Sequence, residues 1–122
     1  MITKDRILYD KAFSFAIRSV KLCRFLMEEK REYILSKQLL RSGTSIGANV
    51  AEANGAISSA DFSAKVSIAY KESLETKYWL GLLKETDYLS AKAFSSLHQD
   101  ADELSKILYS ILRTTRLSSQ HH

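Results

Sequence analysis

Proline is absent from this chain, cysteine occurs once, and glycine appears only four times in 122 residues. Without proline nothing forces a break in a helix interior, so long uninterrupted helices are favoured. The single thiol, Cys23, excludes an intramolecular disulfide and suits a reducing compartment. No run approaches the roughly 18 apolar residues of a membrane span. The stretch up to Cys23 carries charges of both signs and its apolar run is cut by Arg18, so it lacks the form of a secretory signal. The expectation is a soluble, cytoplasmic protein with no membrane attachment. His98 is the one histidine before the terminal His121 and His122, which have the form of an affinity-tag remnant. One internal histidine and one cysteine make no metal cage, and the paired Glu-x-x-His motifs of a di-metal bundle are missing. No spacing identifies a catalytic triad. No metal, cofactor or catalytic residue is expected, and the chain reads as a non-enzyme.

What is present is helical periodicity. Apolar residues make up 45% of the chain and charged ones 26%, a balance that supports one core and one domain. That domain is expected over 1–117, with 118–122 as a disordered tail. The first helical segment, about Arg6–Lys30, carries Tyr9, Ala12, Phe13, Ala16, Ile17, Val20, Cys23 and Met27 on one stripe. A second row, Leu8, Phe15, Leu22 and Leu26, lies elsewhere on it. The second segment, about Tyr33–Asn54, aligns Leu35, Leu39, Ser42, Ile46, Asn49, Val50 and Ala53. The third begins near Ser59, with Ser58 or Ser59 as cap and Asp61 in the first turn. Its stripe is Phe62, Val66, Ala69, Ser73, Thr76, Leu80 and Leu83. The fourth follows Ser90, a plausible cap, and reads Leu97, Ala101, Leu104, Leu108, Ile111, Leu112, a coiled-coil-like seam. Short links between long helices predict an all-α, antiparallel up-down-up-down four-helix bundle. The third helix also carries Ala64, Ile68, Trp79 and Leu82 off its stripe. Such surplus apolar rows point to self-association.

Three of the glycines fall in one stretch, "RSGTSIGANVAEANGA" from Arg41 to Ala56. It has no lysine after its second glycine and no strand before its first, so it matches neither phosphate-binding loop. Gly43, Gly47 and Ala51 instead recur every four residues, a thin ridge for close packing. Each interior glycine costs about 0.5–1 kcal/mol relative to alanine, so two of them imply that something must come near. Gly55 stands where a helix should stop. In the same stretch Asn49 lies on the core stripe, flanked by Ser45 and Glu52. With Glu75 of the third segment these four are expected to form a polar network that fixes helix register.

The net charge of +4 is unevenly placed. Up to Arg31 there are eight basic residues against four acids, and the rest of the chain is close to balanced. Between Lys11 and Arg24 there are four basic residues and no acid. Lys11, Arg18, Lys21 and Arg24 are therefore the expected phosphate contacts of a nucleic-acid interface, bound through backbone and shape since no base-reading motif is present. The competing expectation is a protein-interaction module, in which the surplus apolar rows dock a partner and the charge only solubilises.

The runs "LLRSGTSIGANVAEANGA" and "SIAYKESLETKYWLGLLKETDYL" resemble the bacterial four-helix-bundle family named for proteins encoded in intervening sequences of large-subunit ribosomal RNA genes, also labelled a ribosomal protein family. The positions that carry the resemblance are Arg41, Ser45, Asn49 and Glu52, then Ser73 and Glu75. Where the family commonly has glycine after the second-helix glutamate, this chain has Ala53, with Gly55 two positions on. The resemblance spans about Phe13 to Leu112. It implies a ring-shaped homopentamer of four-helix bundles, similar in fold to the basic, nucleic-acid-binding accessory protein of diversity-generating retroelements. RNA is accordingly the expected partner, and no catalytic residue is implied.

Overall fold

The computed structural model describes the backbone of residues 4–120 and the side chains of residues 6–115. Four helices follow one another: α1 Lys4–Glu28, α2 Leu35–Asn54, α3 Ser59–Glu85 and α4 Ala91–Gln120. Each packs against its neighbours in sequence, and α1 meets α4 more sparsely to close the square; the diagonal pairs do not approach. This is the expected all-α bundle. Helix α4 is helical through Gln120. Of the expected tail, His121 and His122 lie outside the described residues.

The links are short because each helix end is closed by local chemistry. After α1, Arg31 adopts a left-handed conformation (φ 53°), and the Glu32 N–H donates six residues back to the Leu26 carbonyl at 2.9 Å, one residue further than the bond of a Schellman turn. The Glu32 carboxylate then turns onto α2, accepting the N–H groups of Ile34 (3.1 Å) and Ser36 (2.8 Å). Ser36 Oγ donates back to the Glu32 carbonyl at 2.8 Å. Orphan donors at the start of α2 are thus satisfied reciprocally. Gly55 does end α2, donating to the Glu52 carbonyl at 3.1 Å, but with φ −102° it uses no conformation reserved for glycine. Ser58 caps α3 by accepting the Asp61 N–H at 3.0 Å, while Asp61 accepts the Ile57 N–H at 3.2 Å. Asp87, also left-handed (φ 67°), closes α3 in a Schellman turn, with the Tyr88 N–H donating to the Leu83 carbonyl at 2.9 Å and its own N–H to the Lys84 carbonyl at 3.1 Å, and Ser90 caps α4 through the Ala93 N–H.

The expected stripes of α2, α3 and α4 face the core, with Leu35, Phe62, Ile111 and Leu112 at its margin. On α1 the second apolar row lies inside, and of the expected stripe only Ala12 and Cys23 are buried. The core row is Leu8, Ala12, Phe15, Ser19, Leu22 and Leu26, whereas Tyr9, Phe13 and Ile17 of the expected stripe are 37%, 54% and 44% exposed. The buried row alternates steps of four and three, the seam of a coiled coil. Ser19 interrupts it in sequence, which makes it look shorter than the continuous apolar row beside it.

Ser19 belongs to a set of small buried hydroxyls. Its Oγ donates to the Phe15 carbonyl one turn back, at 2.9 Å. Between α2 and α3, Thr76 Oγ1 lies 3.0 Å from Ser42 Oγ. Between α3 and α4, the Oγ atoms of Ser73 and Ser105 are 2.7 Å apart. Among the described residues no buried side-chain polar atom lacks a partner, so these groups escape the penalty of unpaired burial.

Candidate nucleic-acid interface

The four cations expected to contact phosphate divide into two pairs. Lys11 Nζ lies 3.0 Å from Glu103 Oε1. Arg18 is held by Asp100, 2.6 Å from Nη1, and by Ser96 Oγ, 3.0 Å from Nη2. Both side chains therefore bridge α1 to α4, where the helices touch least. Lys21 and Arg24, one and two turns further along, are exposed and make no ion pair among the described residues. Beyond them stand the exposed Lys30 and Arg31 of the α1–α2 link, with Lys30 Nζ 5.9 Å from the centre of the Phe25 ring. Among the described residues, the unpaired positive charge of α1 is therefore concentrated in its C-terminal half and the turn that follows. Two exposed carboxylates, Glu28 and Glu29, sit in the same region. The third, Glu32, is buried. Burial disfavours its charge, but hydrogen bonds from the N–H groups of Ser36, Leu35 and Ile34 outweigh that and hold the carboxyl below its usual range.

The expected polar network separates into three. Asn49 Nδ2 donates within α2 to the Ser45 carbonyl (2.9 Å) and Oγ (3.1 Å). Glu52 is exposed and stands 3.7 Å from Lys65 of α3. Glu75 pairs with Arg41, which also reaches Glu72 at 3.2 Å, and accepts the Trp79 indole N–H at 2.9 Å. Arg41 is thus the centre of the α2–α3 ionic cluster, a role that charge spacing within α2 alone could not disclose. None of Asn49, Glu52 or Glu75 lines the cleft of about 1010 Å³ formed by residues such as Tyr9, Asn54, Ile57 and Phe62.

The glycine ridge packs on α1. A Cβ built on Gly43 would overlap Ser19 Oγ and come within 2.9 Å of Ser19 Cβ; one on Gly47 would meet the Ala12 carbonyl oxygen at 3.4 Å. Ala51, the third member, is exposed. Near this seam Tyr9 and Phe13 stack with ring centres 6.0 Å apart, and Ile17 continues the row every four residues on the outer surface. On α3, Ile68 is also exposed, whereas Trp79 and Leu82 are half-buried. Cys23 is buried, its Sγ 3.7 Å from Met27 Sδ. His98 packs its ring against Phe94. No described helix is long and apolar enough to cross a membrane.

No curated protein matches the chain. Among solved structures, a protein of unknown function from the S23 ribosomal protein family of Bacteroides thetaiotaomicron superimposes with a TM-score of 0.89 at 49% identity, over 91% of this chain and 99% of that one. The family model described as 23S rRNA-intervening sequence protein matches residues 4–110. That span takes in all of α1, α2 and α3 and most of α4, including every residue placed above on the α1–α2 corner, so this chain belongs to the family of 23S rRNA-intervening sequence proteins.

Proposed function

We propose that this protein is a non-catalytic bundle that binds nucleic acid, structured RNA above all, through the C-terminal half of α1. The observation that carries the proposal is the contrast along that helix. Lys11 and Arg18 are occupied by Glu103 and Asp100, while Lys21 and Arg24 are exposed with no acid partner. A cation without a protein partner is free to displace condensed counterions from a phosphate backbone. The family's association with intervening sequences of ribosomal RNA supports the same direction. The chain acts as a ring of copies, in which several such patches share one field and raise affinity at low salt. A labelled RNA hairpin titrated at two salt concentrations tests this. Binding should weaken steeply with salt, and the double variant Lys21→Glu, Arg24→Glu should lower the slope of log K against log salt by about 1.4–1.8. No binding at low salt, or no response to salt, refutes it.

The exposed row Tyr9, Phe13 and Ile17 favours a second role as an assembly surface. Light scattering of the purified protein should give an oligomer, and Phe13→Lys should reduce it. A monomer would remove the ring from the proposal. A partner protein that survives nuclease treatment in a pull-down would instead favour docking of another protein on that row.

A further inference from the structure

The corner formed by the end of α1 and the α1–α2 link carries flat rings as well as cations. Phe25 and Tyr33 are 43% and 48% exposed, so their ring faces are open to a partner. Lys21 and Phe25 are one turn apart on the same face of α1, with Arg24 beside them. Lys30 lies 5.9 Å from the Phe25 ring centre, the outer limit of a cation–π contact. Its flexible side chain can therefore yield to a base and offer its ammonium to the adjoining phosphate. Arg31, in the left-handed turn that ends α1, is exposed.

We infer that this corner binds an unpaired nucleic-acid strand, with Phe25 and Tyr33 stacking bases and Lys21, Arg24, Lys30 and Arg31 contacting phosphates. The inference rests on the function proposed above and narrows its ligand. The charges alone argue for it. Four cations face two exposed carboxylates, Glu28 and Glu29, so the local excess is small and a duplex, which offers only backbone, gains little. A stacked base contributes roughly 5- to 150-fold in affinity per ring, enough to rival the charge term. Only a strand with free base faces can use both, because a duplex buries its faces in its own stack.

The test uses the full chain, a fluorescent oligouridine and an RNA duplex of equal phosphate count, at low and at physiological salt. The wild-type protein should prefer the oligouridine. The double variant Phe25→Leu, Tyr33→Leu keeps apolar bulk without flat rings and should lower oligouridine affinity by about tenfold or more, leaving duplex affinity unchanged. The variant Lys21→Glu, Arg24→Glu should weaken both probes, and thermal melts confirm that each variant folds. Equal or tighter duplex binding, or an oligouridine affinity indifferent to loss of the rings, overturns the strand inference while leaving nucleic-acid binding in place. If neither probe binds at low salt, or if the charge reversal changes nothing, both fall together.

Discussion

Substituting Gly43 by alanine should destabilise the protein, although alanine is the better helix former. In a helix interior the exchange is worth about 1 kcal/mol in favour of alanine. Here the added methyl group has nowhere to go. It would overlap Ser19 Oγ and sit 2.9 Å from Ser19 Cβ. Ser19 is fully buried on α1, with its hydroxyl bonded to the Phe15 carbonyl. Rotating the hydroxyl away would sacrifice that bond, and the Cβ is fixed to the backbone, so α1 and α2 must move apart. Overpacking of this kind costs about 1–3 kcal/mol, and the immobile Cβ places this case in the upper part of that range. The net effect is a loss of about 1–2 kcal/mol, or roughly 4 °C in Tm for each kcal/mol. A double-mutant cycle isolates the cause. Ser19→Gly removes both atoms that clash, so Gly43→Ala should become favourable in that background, with a coupling energy of about 2 kcal/mol. Urea unfolding of the four proteins measures it. If Gly43→Ala is as stable as the wild type, or if Ser19→Gly does not rescue it, the close-approach reading of the ridge is wrong.

Gly81 gives the opposite outcome: a Cβ there meets nothing within 4 Å, so Gly81→Ala should raise stability by about 0.5–1 kcal/mol in the same urea assay. Glu32→Gln should cost about 1 kcal/mol at neutral pH, because the charged acceptor at the start of α2 is lost. The folded carboxyl of Glu32 lies below its ordinary value of 4.5. Its contribution is therefore complete above that value and is lost as pH falls through the folded one, and the variant should show a flatter acid limb in unfolding measured against pH. Arg18→Ala should lower Tm by only a few degrees, since both partners of its ion pair are part-exposed, and RNA affinity measured by anisotropy should stay unchanged, in contrast to Arg24→Ala.

Most of the fold is legible in the sequence because the cues are local. Ser58 and Ser90 lie at the caps they announce, and the stripes of α2, α3 and α4 select one face each. Helix α1 is the exception, and for a physical reason. Its apolar residues cover two adjacent rows, so periodicity cannot say which is inside. The choice falls to the partner helix: Gly43 and Gly47 admit the row that contains Ser19 and Ala12, two small residues, and leave Tyr9, Phe13 and Ile17 outside. The α2 cap was hidden as well. Glu32 lies before the helix and reaches forward past Ile34, so no serine or aspartate stands at the expected place.

The candidate site was legible only in half, and that half shows what charge patterning can and cannot say. Lys11, Arg18, Lys21 and Arg24 look equivalent along the chain. Whether each is available depends on acids more than 80 residues away, Asp100 and Glu103, which the bundle brings beside the first half of α1 but not the second. The same topology gives the difference a use. Antiparallel packing of α4 on α1 is the loosest contact of the square, so ion pairs are placed where apolar packing contributes least. Towards Lys21 and Arg24 the acids run out on α4: N-terminal to Asp100, that helix carries no carboxylate, and its first residues offer Lys92 instead. Among the described residues Lys21 and Arg24 make no ion pair with α4 or any other element. An added acid facing Arg24 from α4 is therefore a discriminating change, expected to strengthen the α1–α4 contact and weaken nucleic-acid binding together.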